Sequence, residues 1–196
     1  MEPHVVELCE FLQGMGVGIH GAGSSTIRVD PAARLGGASH RLAGDYIEAG
    51  SWGVVAAITN GEIEVTGARS IDLEVIAAPL KRMNLDCSYD NDRLVVRPST
   101  LRAVRRITTG LWPGFPSDLV SLVTVLATQA EGRTLVHDWL YELRLFALEQ
   151  MSAMMSTSIP CRIARRGSSW RSCAISARCR SSSSGVSVRD APACSE

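Results

Sequence analysis

The sequence lacks the features that mark several common classes of protein. Its formal net charge is zero, with 20 basic and 20 acidic side chains, so it gives no sign of a surface for nucleic acid or an anionic membrane. No apolar run approaches the roughly 18 residues of a membrane-spanning helix, and the first residues lack the basic-then-apolar order of a signal peptide. We therefore expect a cytoplasmic protein without membrane or nucleic-acid partners.

Cysteine pairs and metal-ligand patterns are also missing. There are six cysteines among 196 residues. The last four form no C-x-x-C pair and have no histidine nearby, so neither disulfides nor a metal site is indicated. We predict that the other two, Cys9 and Cys87, are small core residues. The length and the 45% hydrophobic content suit one domain or one and a half.

The stretch 110–118, GLWPGFPSD, is the most distinctive part of the chain. Its two prolines and two glycines predict a stiff, turned loop. Ser117 is then placed to cap a helix, and Asp118 falls in the first turn of an apolar, buried helix over 118–130. A carboxylate there has two interpretations: a plain helix cap, or a group that acts on a ligand hydroxyl in a cleft.

Hydrophobic periodicity and turn residues predict alternating helices and strands. The predicted helices are 3–15, 45–57, one capped by Ser70, 118–130 and 142–154. The predicted strands are 17–20, 26–29, 40–42, 61–67, 86–89, 93–97, 107–109 and 133–137. A shift of 71 residues places Gly61 on Gly132 and Val65 on Val136, which indicates an internal repeat. The order predicts an α/β protein with layered sheets and helices and parallel strand pairs.

The composition changes abruptly near residue 157. Residues 159–196 contain no Leu, Lys or Phe and are rich in Arg, Ser and Cys. Such a segment is predicted to be disordered, because it buries too little apolar surface to offset its ordering entropy. One alternative is a basic, serine-rich functional tail. The interpretation we prefer is a frameshift, since GC-rich coding DNA translated out of frame gives this mixture of residues.

Several short motifs in order along residues 1–155 resemble the enolpyruvyl transferases that act on UDP-N-acetylglucosamine in peptidoglycan synthesis. The motifs are EPHVVEL (2–8), RLGGA (34–38), DYIEAG (45–50), AAITNG (56–61), FPSD (115–118) and YELR (141–144). The resemblance implies an inside-out α/β barrel built from repeated βαβαββ units, incomplete in this chain. Residues 1–43 would end one lobe, residues 44–158 would form about one and a half units of the other, and 159–196 would be the tail.

The resemblance also implies a reaction and its residues. The enolpyruvyl group of phosphoenolpyruvate is added to the 3-hydroxyl of UDP-N-acetylglucosamine and phosphate is released, with no metal or organic cofactor. Asp118 matches the aspartate that meets this hydroxyl and is the predicted catalytic base. The other predicted substrate-binding residues are Glu2, Asp45, Leu140 (through its backbone) and Arg144.

Other parts of the family pattern are missing from the sequence. These are an early lysine–asparagine pair, a Pro-Gly-Cys loop that supplies the acid, and the late residues that hold phosphoenolpyruvate. We therefore expect this chain to be a truncated, inactive fragment with no obligate protein partner. Two alternatives stay open: the sister transferase acting on shikimate 3-phosphate, and a non-catalytic remnant or ligand-binding paralogue.

Overall fold

The computed structural model describes residues 2–141, 161–165 and 172–177. The helices are α1 (Pro3–Gly14), α2 (Tyr46–Thr59), α3 (Ser70–Arg82) and α4 (Val120–Gln129), with a 3-10 turn at Ser117–Leu119. The strands are β1 (Gly18–His20), β2 (Arg28–Asp30), β3 (Ile63–Thr66), β4 (Cys87–Asp90), β5 (Arg93–Val96), β6 (Arg106–Thr108), β7 (Gly132–His137), β8 (Cys161–Arg165) and β9 (Ser172–Ala177).

The first 43 residues form the predicted helix and hairpin, without the third strand predicted at 40–42. Pro3 occupies the first position of α1, where its missing N–H costs no hydrogen bond. The chain leaves the helix through Gly16, whose φ of 96° favours glycine. β1 and β2 then pair antiparallel, with Ile19 opposite Val29.

Residues 44–96 form the first repeat unit. Asp45 caps α2, and Asn60 ends it in the left-handed conformation at φ 53°. The three strands pair antiparallel in the order β3-β5-β4. The β4–β5 hairpin turns at Asn91 and Asp92, both with positive φ, which is the geometry that a two-residue turn needs.

The second unit repeats this arrangement and confirms the 71-residue repeat. β7, β9 and β8 are neighbours in the same order as β3, β5 and β4, and both pairs are antiparallel. β6 pairs parallel with β7, so the predicted parallel pairing is also confirmed. The 3-10 turn and α4 occupy the place that α2 has in the first unit.

Three predictions of local structure need correction. Residues 40–42 form no strand; instead of a strand partner, the Glu7 side chain accepts a bond from the N–H of Ala43 at the end of this segment. Ser70 does not cap α3, because Arg69 occupies that position. β8 and β9 lie within the predicted disordered tail, so that prediction is wrong for these two segments: β7 offers backbone partners to β9, and β9 pairs in turn with β8. The predicted helix 142–154 lies outside the described residues.

The core lies where α2 and α4 meet α3 and the strands. Its largest fully buried side chains are Val54, Leu73, Ile76, Leu80, Met83, Leu94, Ile107, Leu119 and Leu126. No residue of α4 before Gln129 is exposed, which confirms the prediction of a buried helix. Cys9 and Cys87 are buried free thiols, as predicted. Within the described ranges no helix is long and apolar enough to cross a membrane.

Candidate functional site

The glycine- and proline-rich loop folds back on itself before the 3-10 turn. The N–H of Gly110 donates to the carbonyl of Phe115 at 2.9 Å, and Gly114 donates to Leu111 at 2.6 Å. A Cβ on Gly114 would lie 2.8 Å from the Cα of Gly110, so the close approach requires glycine. The loop therefore fixes the direction of the backbone that leads to Asp118.

Asp118 lies in the 3-10 turn with its side chain exposed. The predicted cap by Ser117 is wrong, because the Ser117 hydroxyl donates to the carboxylate of Asp138 at 2.7 Å. The 3-10 turn begins after Pro116, which makes no side-chain cap hydrogen bond. Ser117 thus joins this turn to the loop after β7.

An open cavity of about 360 Å³ lies beside Asp118, where the starts of α1, α2, α3 and the 3-10 turn converge. Its lining residues are Pro3, His4, Glu7, Ala43, Gly44, Asp45, Tyr46, Ile47, Arg69, Asp72 and Asp118. Four of them are carboxylates and one is a guanidinium. Helix N-termini favour negative charge, which explains how so many carboxylates are tolerated together.

The two other predicted carboxylates are both in this region. Asp45 lines the cavity, and one of its oxygens accepts a bond from the N–H of Ile47 at 2.7 Å, capping α2. Glu2 accepts a bond from the N–H of Trp112 at 3.0 Å. Glu2 therefore ties the start of α1 to the loop that carries Asp118.

Tyr46 is the centre of this acidic group. It is only 7% exposed, and its ring meets that of Trp112 edge-on, with centroids 5.7 Å apart. Burial, together with the negative charges of Glu2, Asp72, Asp45 and Asp118, raises the pKa of Tyr46 to about 12. The phenol therefore stays neutral at physiological pH and keeps its O–H.

The cavity's guanidinium is already paired. Arg69 Nε donates to Asp72 Oδ2 at 2.7 Å, and Asp72 is 4% exposed. This bond raises the pKa of Arg69 further. A buried carboxylate bonded to a guanidinium is well compensated, so this pair holds the first turn of α3 against the cavity.

A sequence profile of the EPSP synthase (3-phosphoshikimate 1-carboxyvinyltransferase) family matches residues 1–157. The chain belongs to the EPSP synthase family. It is 34% identical to the UDP-N-acetylglucosamine 1-carboxyvinyltransferase of Treponema denticola, over 78% of this chain and 38% of the relative. It is 37% identical to the enzyme of the same name from Nocardia farcinica, over 76% of this chain and 35% of the relative. The chain thus spans about two fifths of the length of the curated relatives it matches.

Solved structures of EPSP synthase-family enzymes share the fold. The enolpyruvyl transferase NikO from Streptomyces tendae superposes with a TM-score of 0.68 and 22% identity, over 91% of this chain and 41% of NikO. The EPSP synthase from Acinetobacter baumannii superposes with a TM-score of 0.61 and 19% identity, over 87% and 39% of the two chains. The fold is therefore the inside-out α/β fold of this family, and it is incomplete here. The family match ends at residue 157, where the composition changes.

Of the residues that the resemblance to this family predicted, Asp118 and Asp45 line one cavity and Glu2 lies beside it. Leu140 does not line it; its N–H donates to Asp138 Oδ1 at 3.1 Å. Arg144 lies outside the described residues. Among the described residues, no group of three His, Cys, Asp or Glu side chains is arranged to hold a metal ion.

Sequence analysis missed Tyr46, Asp138 and both members of the Arg69–Asp72 pair. Tyr46 follows Asp45 directly within the DYIEAG motif, which was a usable signal. Asp138 follows the strand β7 directly, and side chains at strand ends often reach a site. Its partners, however, could not be named from the sequence.

Proposed function

We propose that this chain is part of an enolpyruvyl transferase that uses phosphoenolpyruvate and UDP-N-acetylglucosamine, in peptidoglycan precursor synthesis in the cytoplasm. The curated relatives carry the name UDP-N-acetylglucosamine 1-carboxyvinyltransferase at 32–37% identity. This favours the sugar-nucleotide branch over the shikimate 3-phosphate branch.

The observation that carries the proposal is the position of Asp118. Its carboxylate is exposed to a cavity, while the residues on both sides are buried: Ser117 at 6% and Leu119 at 1% exposure. A carboxylate held in this way is suited to accept a proton from a bound hydroxyl.

The charge of the cavity favours the sugar rather than phosphoenolpyruvate. Neutral sugar hydroxyls donate hydrogen bonds to carboxylates, and the cavity offers Glu7, Asp45 and Asp118 besides the paired Asp72. A trianionic substrate would be repelled there, and Arg69 is already bonded to Asp72. Phosphoenolpyruvate must therefore meet cations supplied by other parts of a complete enzyme.

In the proposed reaction Asp118 accepts the proton of the 3-hydroxyl as its oxygen bonds to C2 of phosphoenolpyruvate. An acid elsewhere delivers a proton to C3, giving a tetrahedral intermediate. Loss of a proton from C3 and departure of phosphate from C2 restore the double bond. The neutral phenol of Tyr46, which lines the cavity, would donate a hydrogen bond to the bound sugar.

The test is a chimaera in which residues 1–157 replace the matching segment of the Treponema denticola relative. The unsubstituted chimaera should release phosphate from the two substrates. Asp118→Ala should lower kcat by about 10²-fold or more, the usual range for a general base. Its effect on folding should be small, since losing an exposed carboxylate near a helix end costs about 1 kcal/mol.

The matched control is Asp90→Ala, which removes an exposed carboxylate from the β4–β5 hairpin, away from the cavity. We expect it to leave kcat within about twofold of the chimaera. Full turnover by Asp118→Ala would rule out Asp118 as the base. An inactive chimaera would instead favour the non-catalytic alternative, a remnant or a ligand-binding paralogue.

A further inference from the structure

We propose that Asp138 is a positioning residue that sets the place of Asp118 relative to the backbone of Leu140. This inference rests on the proposed function and adds a residue to the machinery of that site. Asp138 does not line the cavity, so it acts through other residues and is not itself a catalytic group. It lies in the loop directly after β7.

Asp138 is a buried residue whose side chain joins several segments of the chain. It is 0% exposed, and its carboxylate accepts three hydrogen bonds from three different segments. Oδ2 accepts from the hydroxyl of Ser117 at 2.7 Å. Oδ1 accepts from the hydroxyl of Thr109 at 2.7 Å and from the N–H of Leu140 at 3.1 Å.

The two carboxylate oxygens of Asp138 bind different parts of the site. Oδ2 holds Ser117, the residue just before Asp118, and Oδ1 holds Leu140, the residue predicted to meet the nucleotide. The third bond, to Thr109, anchors the carboxylate to the end of β6, and the indole N–H of Trp139 donates to the Thr109 carbonyl at 2.7 Å. One rigid group therefore fixes the distance between the predicted base and the predicted nucleotide contact.

A carboxylate is the side chain that this task requires. It has two oxygens that only accept, so it serves three donors without needing a donor of its own. Hydrogen bonds to a buried carboxylate are short and strong, and the 2.7 Å bonds here agree with that. A misplacement of about 1 Å can cost about 10²-fold in rate. Removing the hydrogen bond between Ser117 and Asp138 should therefore lower turnover.

The first experiment uses the 196-residue chain itself and measures amide hydrogen exchange. The N–H of Leu119 donates to the Pro116 carbonyl at 3.2 Å, so its exchange rate reports on the turn that carries Asp118. Ser117→Ala should accelerate this exchange by about fivefold or more, since the turn loses its anchor. The control is Thr124→Val, which removes a buried hydroxyl bond of 2.7 Å inside α4 and touches neither Asp138 nor the cavity.

The second experiment measures kinetics in the chimaera. Ser117→Ala should lower kcat by about tenfold while KM for UDP-N-acetylglucosamine changes by less than about threefold, because the loss falls on orientation in the transition state. Thr124→Val should lower the melting temperature by a similar amount without this fall in kcat. A merely structural role for the network would give the two variants the same kinetics.

The outcomes separate the two proposals. Unchanged exchange at Leu119 in Ser117→Ala, or equal acceleration in Thr124→Val, would overturn the positioning role. So would a kcat for Ser117→Ala equal to that of Thr124→Val. An inactive unsubstituted chimaera would refute the proposed function, and the exchange experiment would still decide whether Asp138 positions the turn.

Discussion

At Gly50, α2 packs closely against the 3-10 turn and α3. We therefore predict that Gly50→Ala destabilises the protein. A Cβ on Gly50 would lie 2.8 Å from Leu119 Cδ1 and 2.9 and 3.0 Å from Ile76 Cδ1 and Cγ2. Both neighbours are 1% exposed, so they have no room to move away. Overpacking of this kind costs about 1–3 kcal/mol.

A control three residues along α2 separates packing from helix propensity. Replacing glycine by alanine inside a helix gains about 1 kcal/mol, and this gain applies equally to Gly53→Ala. There the Cβ would lie 3.3 Å from Leu94 Cδ2 and 3.4 Å from Val96 Cγ2, contacts that need only small shifts. We expect the free energy of unfolding of Gly50→Ala to be about 1–3 kcal/mol below that of Gly53→Ala.

The assay is equilibrium unfolding in urea at one protein concentration, with the midpoint and the slope fitted for each variant. Equal slopes would allow the midpoints to be compared as stabilities. Because Leu119 follows Asp118 directly, Gly50→Ala should also shift the amide resonance of Asp118. A Gly50→Ala protein as stable as Gly53→Ala would refute the close packing of α2 against the 3-10 turn and α3.

Three further predictions follow from the site and the sheet. The pKa of Tyr46 is raised from 10.0 to about 12. The neutral Tyr46 side chain therefore contributes its full share of stability below pH 10, and this share is lost as the pH rises towards 12. Tyr46→Phe should make the urea midpoint fall less steeply over this pH range, and an unchanged pH dependence would contradict the prediction. The isolated chain should release no phosphate above a no-protein control, because the family's acid loop and phosphoenolpyruvate-binding motifs are not found in the sequence; clear turnover would contradict this. Truncation after residue 157 removes β8 and β9 and bares one edge of β7, so light scattering should detect association; a monomeric, equally stable product would show that these strands contribute little.

Local structure was predictable where neighbouring residues decide it. Pro3 and the spacing of apolar residues predicted α1, and the turn residues predicted the hairpin at Asn91 and Asp92. The repeat was predictable too, because two units with the same fold keep glycines such as Gly61 and Gly132 at matching places. The resemblance, in turn, predicted that Asp45 and Asp118 belong to one site, and both line the same cavity.

Composition gave a wrong prediction where pairing between distant segments decides the structure. Residues 161–165 and 172–177 lack the apolar content of a typical core segment, yet their backbones pair with each other and with β7. A strand needs partners for its N–H and C=O groups; β7 supplies them to residues 172–177, which in turn pair with residues 161–165. The frameshift interpretation of the tail stays a prediction, for which sequencing of the locus in all three frames is the test.

What the sequence alone determined is most of the order of the elements as far as β7, the repeat and the family to which the motifs point. Only the tertiary structure decided what each polar side chain does. Ser117, a cap by local rules, bonds instead to Asp138, 21 residues away, and Glu2 bonds to the N–H of Trp112, 110 residues away. The physical reason is that helix and turn propensities depend on adjacent residues, whereas a buried carboxylate takes whichever donors the packed elements bring within about 3 Å.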